Sequence, residues 1–350
     1  MNRRIRTLVF GAVPVLALLL AVNTATIPGT NISVTVPYAA EGQGPTFNTL
    51  GEIDGVKVVD ITGTEVDETA GKLNMTTVSV RTNMTVMQAA SRWLLSGDNL
   101  IPIEQVIPQD KSEDEVNELN QQAFLVSESA ATTAALRYLD KPLEVEVASI
   151  VADSPAHEVM EVGDRIIAIG GTDVKSGGHA QELVRKKRPG DVVEVSFVRD
   201  DKRMEAEVIL ATHPDDPTMP LLGISMVTVP AEDITVEYNL DDIGGPSAGM
   251  IFALAVVDKL SPGKLNGGKF VAGTGTIDDN GTVGYIGGVV HKAKAAADSG
   301  AELFLAPRSN CGELRGKNFG TMTVAAVDTL EEAIAQMDNF AAGKDVEGCR

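Results

Sequence analysis

Positive charge is scarce in this sequence, and motifs that bind nucleotides are missing. Of 350 residues, 29 are Lys or Arg and 49 are Asp or Glu, so the formal net charge is −20. Proteins recognise phosphate backbones through basic patches, so this balance excludes a generic nucleic-acid-binding protein. No Gly-x4-Gly-Lys-Ser/Thr loop occurs, which excludes a P-loop ATPase. The absence of internal repeats argues against solenoids and propellers.

Cysteine and histidine are also rare. The two cysteines, Cys311 and Cys349, match no metal-site spacing, and we expect neither a metal nor a cofactor. Outside the cytoplasm, a disulfide between them would stabilise the fold by roughly 4 kcal/mol, but two free thiols are equally consistent with the sequence. None of the four histidines lies in a catalytic-triad motif; they are His157, His179, His213 and His291.

The N-terminus has the charge pattern of an exported or membrane-inserted chain. Arg3, Arg4 and Arg6 precede an apolar run at residues 8–22, and no charged residue occurs from 7 to 40. Arginines before such a run stay in the cytoplasm. The apolar core of about 15 residues is short for a span, although uncharged sequence continues to about 20. We therefore expect an uncleaved single-pass anchor in the cytoplasmic membrane, with the rest of the chain outside; the alternative is a cleaved signal peptide.

The composition is globular, with 43% hydrophobic and 22% charged residues, and the length suits about two domains. Early in the chain, the pattern predicts strands at 53–62 and 71–81 and helices at 85–95 and 112–138. Ser112 and Glu115 form a capping-box signature at the start of the longer helix. Residues 143–208 read as a compact unit of four strands and one helix.

From residue 222 onward, predicted strands and helices alternate, which indicates an α/β arrangement. Strands are predicted at 222–229, 234–238, 270–273, 303–305 and 322–327, and helices at 251–260 and 289–299. The pair Asn280-Gly281 predicts a hairpin turn. Asp328, with Glu331 three residues later, is predicted to cap the final helix.

Ser247 and Lys292 are the candidate catalytic residues. Ser247 lies among small residues at a predicted helix start, where free N–H groups suit an oxyanion; the alternative is a purely structural N-cap serine. Serine needs a base to act as a nucleophile. Lys292 acts as a base only if burial lowers its pKa from about 10.4 toward roughly 7–8; otherwise it is an ordinary surface lysine, as we expect for Lys294.

The compact unit resembles a bacterial PDZ domain. The resemblance rests on Ser154-Pro155-Ala156, on the run from Val162 through Gly163-Asp164 to Gly171, and on Val174. It implies a groove that binds an extended peptide by strand addition, often at a free C-terminus. The carboxylate-binding loop is expected around residues 139–143, before the first strand of the unit.

The second half resembles the Lon family of Ser–Lys peptidases. The matching residues are Gly245-Pro246-Ser247-Ala248-Gly249, Thr274-Gly275-Thr276-Ile277, Gly281-Thr282-Val283, Ile286-Gly287-Gly288 and Lys292. The resemblance implies that Ser247 is the nucleophile and Lys292 the general base. It implies further that Thr274 helps to place Lys292, and that N–H groups near Gly245 and Ser247 stabilise the oxyanion. Gly244 stands where many Lon proteases have an acidic residue, and Asp241 and Asp242 are displaced from it.

The order of these parts predicts an inserted domain. Residues 71–76 and the helix after Thr85 resemble the beginning of a Lon peptidase domain, so the PDZ-like unit would interrupt it. The expected fold is an α/β (α+β) Lon-type peptidase domain with an inserted PDZ-like, β-rich domain and an N-terminal transmembrane anchor. The expected segments are 1–40 (Arg cluster, anchor and linker), 41–140 (first peptidase part), 141–212 (PDZ-like domain) and 213–350 (catalytic part).

The whole arrangement resembles the membrane-anchored Lon-like PDZ proteases of Gram-positive bacteria. This implies an ATP-independent serine endopeptidase that cleaves unfolded or flexible segments outside the cytoplasmic membrane, with substrate tails bound or activity gated at the PDZ groove. A homo-oligomeric ring is expected by analogy only. The alternatives are a non-catalytic PDZ scaffold or chaperone, and a Ser–Lys transferase or self-cleaving protein, which autoprocessing near Ala39 and Ala40 would support.

Overall fold

The structure is a computed structural model that describes residues 12–13, 24–26, 33–231, 233–240 and 243–349. Most of the apolar run at 8–22, and with it the expected anchor, lies outside the described residues. Within the described ranges, no helix is both long and apolar enough to cross a membrane.

The strands of the described part are short apart from five that contain eight residues or more. They are β1 (Tyr38–Asn48), β2 (Glu52–Ile53), β3 (Val56–Lys57), β4 (Val59–Thr62), β5 (Lys72–Arg81), β6 (Asn99–Pro102), β7 (Leu143–Ile150), β8 (Arg165–Ile169), β9 (Thr172–Asp173), β10 (Val192–Arg199), β11 (Lys202–Ile209), β12 (Ala211–Thr212), β13 (Pro220–Leu221), β14 (Ile224–Pro230), β15 (Thr235–Tyr238), β16 (Phe270–Gly273), β17 (Thr276–Ile277), β18 (Val283–Gly284), β19 (Leu303–Pro307) and β20 (Thr323–Val327).

The described helices range from four to 26 residues. They are α1 (Val86–Ser91), α2 (Glu113–Tyr138), α3 (Gly177–Arg185), α4 (Gly249–Leu260), α5 (Val289–Asp298), α6 (Cys311–Leu314) and α7 (Leu330–Ala341). Ser112 and Glu115 form the expected capping box of α2. The final helix differs from the prediction by one residue, because Thr329 and not Asp328 accepts the N–H of Glu332. The Asp328 N–H instead donates to the Glu332 side chain.

The larger sheet forms the part that the sequence predicts to be a peptidase domain (the peptidase part) and has the strand order β20-β19-β16-β5-β1-β6. Strands β20, β19, β16 and β5 are parallel, and β1 is antiparallel to both β5 and β6. Helices α2, α4 and α7 contribute to the core on one face, whereas α5 and α6 pack on the other. Every residue of α4 from Gly249 to Lys259 is buried, and Phe252 of this helix meets Phe124 of α2 edge to face. The peptidase part is therefore a helix–sheet–helix arrangement, as the alternating pattern predicts.

The smaller sheet has the order β11-β10-β8-β7-β14, with β9 paired to β8. Its core is built around the fully buried Phe197. Strand β14 lies beyond residue 212, where the expected PDZ-like segment ends, and is paired with β7 from Ile224 to Pro230. The entry and the exit of this unit are neighbours, because Leu143 pairs with Pro230.

Strand β1 has no counterpart in the sequence-based predictions. It lies partly in the stretch up to residue 40 that reads as a linker, and four of its positions are Ala or Gly, which give no clear alternation. It is nevertheless central to the larger sheet, between β5 and β6. Ala39 and Ala40 are fully buried within it, which is unfavourable for the autoprocessing considered at that point.

The two cysteines form a disulfide, the alternative that the sequence leaves open. Cys311 begins α6, and Cys349 pairs with it across 38 positions. The tail before Cys349 runs beside β20, where the Ala326 N–H donates to the Glu347 carbonyl. The disulfide therefore fixes the C-terminal tail against the edge of the larger sheet.

Candidate active site

The segment that carries Ser247 is held by helix α2. The Gly245 N–H donates to the carbonyl of Asn120 (2.8 Å), and the buried Ser127 hydroxyl donates to the carbonyl of Pro246 (3.0 Å). Immediately after this segment, α4 begins at Gly249. Ser247 is thus fixed at the start of a buried helix, the position that the sequence predicts.

Lys292 comes from the opposite face of the sheet, on the first turns of α5. Its side chain is 3% exposed. The loop before α5 is held by the buried Asn310, which bonds both the N–H (3.0 Å) and the carbonyl (2.8 Å) of Ile286. Gly288, at the helix N-cap, has a φ of +68°, and a Cβ there would lie 2.8 Å from the Glu41 carboxylate. A glycine is therefore required for α5 to approach β1 this closely.

The structure brings Ser247, Lys292 and Thr274 together. Lys292 Nζ lies 2.6 Å from Ser247 Oγ and donates to it, and Nζ also donates to Thr274 Oγ1 at 3.1 Å. The Thr274 hydroxyl in turn donates to the Ser247 carbonyl (3.0 Å). A base within 2.6–3.2 Å of a serine hydroxyl meets the distance requirement for proton transfer.

Burial tunes the lysine for this task. Desolvation lowers the pKa of Lys292 from its usual value to about 8, and the negative charge of Glu41 opposes that shift. An amine with a pKa of about 8 is neutral in a useful fraction of molecules near neutral pH, whereas an exposed lysine is not. The environment of Lys292 therefore has the property that the dyad requires.

A cavity of about 470 Å³ that has an apolar wall borders this pair. Phe47, Met75 and Ile243 contribute its apolar wall, and Ser247 and Lys292 lie at its rim. One side is β5, whose residues 77–80 face the cavity. Strand β16 pairs with β5 only from Lys72 to Met75, so beyond that point β5 has no strand partner on the cavity side within the described residues. Its free backbone groups can pair with an extended segment.

The remaining predicted site features have mixed outcomes. The Gly245 N–H, expected near the oxyanion, is already donated to Asn120. Asp241 and Asp242 lie outside the described residues. Among the described residues, no histidine bonds to Ser247, and no cluster of three or more His, Cys, Asp or Glu is arranged to hold a metal. Glu41, Ser127 and Asn310 were not predicted; Glu41 carries no motif, and Ser127 and Asn310 act through backbone groups, which gives them no sequence signature.

The groove of the smaller sheet lies elsewhere than the sequence predicts. Strand β7, which follows residues 139–143, is flanked on both sides by β8 and β14 and has no free edge. Of the two edge strands, β11 and β14, the second borders a groove of about 430 Å³ that runs between it and α3. The loop that enters this groove is at residues 220–223, where Gly223 has a φ of +86°. The expected position of the carboxylate loop is therefore wrong, because the edge strand comes last in the sequence of the unit and not first.

The far end of this groove contacts the peptidase part. Asp279, on the β17–β18 hairpin, lines the groove and accepts a hydrogen bond from the Thr228 hydroxyl of β14 (3.3 Å). Burial raises the pKa of Asp279 above its usual value, and the bond from Thr228 opposes the rise. Thr276 of the same hairpin borders Ser247. One hairpin thus contributes to both sites.

Two family models match separate parts of the chain. Residues 115–210 match the PDZ domain, and residues 241–337 match the Lon protease (S16) C-terminal proteolytic domain. The chain therefore contains a PDZ domain and a Lon-type proteolytic domain in a mixed α/β fold.

Parts of the chain are also similar to curated proteins and solved structures. "Lon protease 2" of Bacillus subtilis (strain 168) is 36% identical over 95 residues, 27% of this chain and 17% of that protein. "Probable periplasmic serine endoprotease DegP-like" of Ectopseudomonas mendocina (strain ymp) is 32% identical over 79 residues, 22% of this chain and 17% of that protein. The chain spans about a sixth of the length of these relatives. The PDZ domain of an SdrC-like protein from Listeria monocytogenes is 31% identical, covering 24% of this chain and 86% of that one, with a TM-score of 0.22.

These matches define a class: the chain carries the proteolytic domain of a serine peptidase of the Lon type, together with a PDZ domain. Protein or peptide substrates fit both domains.

Proposed function

We propose that this protein is an ATP-independent serine endopeptidase that uses a dyad of Ser247 and Lys292. The observation that carries the proposal is the 2.6 Å contact between Lys292 Nζ and Ser247 Oγ, made by a lysine that is buried. Burying an amine against a serine hydroxyl costs stability. A structural serine or lysine would not require this arrangement.

The dyad accounts for acyl transfer without a histidine. Neutral Lys292 takes the proton of Ser247 Oγ as the oxygen attacks the scissile carbonyl. The resulting ammonium then protonates the leaving amine, and the same lysine later removes a proton from the water that hydrolyses the acyl-enzyme. The Thr274 hydroxyl holds Nζ in line. Amides at the start of α4, where the helix dipole is positive, would stabilise the oxyanion in place of the engaged Gly245 N–H.

Substrates of this enzyme would be extended segments. The free edge of β5 binds a strand, and the apolar wall of the cavity beside it accepts an apolar side chain. A segment can occupy a strand edge only when it is flexible or unfolded. The groove between β14 and α3 would bind a second extended peptide, such as a substrate tail, and thereby select substrates or gate activity.

The proposed location and energy requirements are supported by the sequence and the disulfide. No P-loop motif occurs, so we propose that no ATP-driven unfolding precedes cleavage. The Cys311–Cys349 disulfide suits an oxidising compartment. Together with the N-terminal arginines and apolar run, it supports a chain anchored in the cytoplasmic membrane with its bulk outside.

The test is cleavage of casein by the full-length chain without ATP. Wild type, Ser247→Ala and Lys292→Ala are compared, with circular dichroism to verify folding. Lys294→Ala is the matched control, because Lys294 is on the same helix but exposed. We expect wild type and Lys294→Ala to cleave and the other two variants to be silent.

Other outcomes would separate the alternatives. Cleavage by folded Ser247→Ala or Lys292→Ala at the wild-type rate would refute the dyad. A wild type that cleaves nothing, even with C-terminal peptides added for the groove, would favour a non-catalytic scaffold. A requirement for ATP would contradict the proposed energy independence alone.

A further inference from the structure

A second cavity adjoins the catalytic pair on the side of Glu41. Its volume is about 300 Å³, and among the described residues it shares Val78, Ser247 and Lys292 with the cavity that Phe47 lines. Glu41 and Phe47, which line different cavities, are separated along β1. A substrate that crosses Ser247 would therefore place side chains in two cavities, of which this one contains a carboxylate.

Among the residues that the structure describes, Glu41 is the one carboxylate that borders this cavity. Its backbone is fixed from both sides, since it pairs with Val80 of β5 and with Asn99 of β6. Its side chain is half-buried, with the carboxylate beside the N-terminus of α5. A helix N-terminus favours negative charge, so this place at the cavity wall suits a carboxylate.

This carboxylate has no ion-pair partner within the described ranges of the chain. Lys292 Nζ is directed to Ser247 and Thr274, so the charge of Glu41 acts on it without an ion pair. The salt bridges of the described residues do not include Glu41. A partly desolvated carboxylate without a partner is unfavourable. A cationic group in the cavity would remove that cost.

The rest of the cavity suits the stem of such a group. Val78 and Ile286 are apolar, and the ring of Tyr285 is largely exposed at the edge. Lys and Arg side chains place methylene stems along apolar walls and extend their charged tips to polar groups. An aromatic face favours a cation further.

We propose that Glu41 forms a specificity subsite for a Lys or Arg side chain of the substrate. That substrate residue lies next to the scissile bond, on the side away from the cavity that Phe47 lines. The inference rests on the proposed peptidase function and adds a substrate class to it. The preferred substrates would carry an apolar residue on one side of the cut and a basic residue on the other.

The experiment measures cleavage preference with the full-length chain. A mixture of unfolded proteins is digested, the cut sites are mapped by mass spectrometry, and matched peptides are made that differ only at the position enriched in basic residues. We expect kcat/KM for the Lys or Arg peptide to exceed that for the Gln peptide about tenfold, the scale of one specific pocket contact. Glu41→Gln should abolish this ratio, and Glu41→Lys should favour a Glu peptide.

Glu52→Gln is the matched control, because Glu52 is exposed on β2 and should keep the wild-type ratio. Cleavage by wild type without a basic preference would overturn the subsite and leave the peptidase intact. The subsite would also be refuted if Glu41→Gln slowed all peptides equally and shifted the pH profile, because Glu41 would then act only on Lys292. A wild type that cleaves no substrate would refute both proposals.

Discussion

At the scale of single residues, we expect the buried amine of Lys292 to set the pH dependence of cleavage. Its burial lowers the pKa to about 8, and only the neutral amine accepts the proton of Ser247. We expect kcat/KM to rise about tenfold per pH unit below pH 8 and to level off above it, since this parameter follows ionisations of the free enzyme. The measurement uses a peptide whose own charge is constant between pH 6 and 9.5.

Lys294→Ala is the control for that profile and should reproduce it, because its side chain is exposed. A rate that is flat from pH 6 to 9, or that falls as the pH rises through 8, would exclude neutral Lys292 as the base.

The candidate catalytic residues could be predicted because their chemistry is tied to local sequence. Ser247 needs small neighbours and a helix start, and Lys292 follows a glycine-rich loop. Glu41 could not be predicted in the same way. It reaches the site only because β1 lies beside β5, and that pairing joins residues far apart in the chain. A single acidic residue without a motif carries no signal of such a contact.

At the scale of elements, α4 is packed too tightly at its first residue for any side chain. A Cβ on Gly249 would lie 2.6 Å from Ser127 Oγ and 2.8 Å from Ile277 Cγ2. Alanine normally stabilises a helix relative to glycine, but here it would displace α2 or the β17–β18 hairpin. We therefore expect Gly249→Ala to reduce kcat about a hundredfold or more, because displacements near 1 Å have that effect on catalysis.

Gly312→Ala is the matched control for this substitution. Gly312 is also helical, and a Cβ there would meet no atom within 4 Å, so its activity should be unchanged. Equal activity of Gly249→Ala and wild type in the casein assay would show that the start of α4 is not the rigid support of Ser247.

The disulfide determines how firmly the last element is attached. Besides Cys349, the tail is held by Glu347, which bonds Arg308 (2.7 Å). Cys349→Ser should lower the free energy of unfolding by up to about 4 kcal/mol, the chain-entropy value for a loop of this size. Urea denaturation with and without dithiothreitol measures this difference. Reductant should lower the free energy of unfolding of wild type to that of the variant. A variant that is itself destabilised by reductant would contradict this account.

The predictable elements are those with strong local signals, such as α2 with its capping box and the Asn280-Gly281 hairpin. The failures have physical reasons. Strand β1 is rich in small residues, so its alternation is weak, and its stability comes from two neighbouring strands. The sequence predicts the wrong position for the groove, because the edge position of β14 depends on the order of strands in the sheet, which hydrophobic patterns do not specify.

At the scale of the whole molecule, a hydrogen bond between Thr228 and Asp279 joins β14, which borders the peptide groove, to the β17–β18 hairpin near Ser247. A peptide that pairs with β14 would act on Thr228 and hence on that hairpin. We expect groove-binding peptides to change the rate at which wild type cleaves casein. Thr228→Val keeps the shape of the side chain but lacks the hydroxyl, so this variant should lose most of that response. Its affinity for the peptides should stay within about threefold of the wild-type affinity.

Peptide affinity is measured separately by fluorescence anisotropy, so that loss of binding is distinguished from loss of coupling. Thr218→Val is the control, since the Thr218 hydroxyl bonds only the nearby Asp216. A full response in Thr228→Val would place the coupling elsewhere.

The inserted unit separates β5 from β16 of the larger sheet in the sequence, and this affects how the chain folds. Thr76 and Gly273, which meet where β5 joins β16, are 197 positions apart, and closing so long a loop is entropically costly and slow. The inserted unit shortens that loop once it folds, because its ends pair at Leu143 and Pro230. The larger sheet would therefore assemble after the smaller sheet. In a newly made chain, the peptide-binding groove would exist before Ser247 is placed beside Lys292.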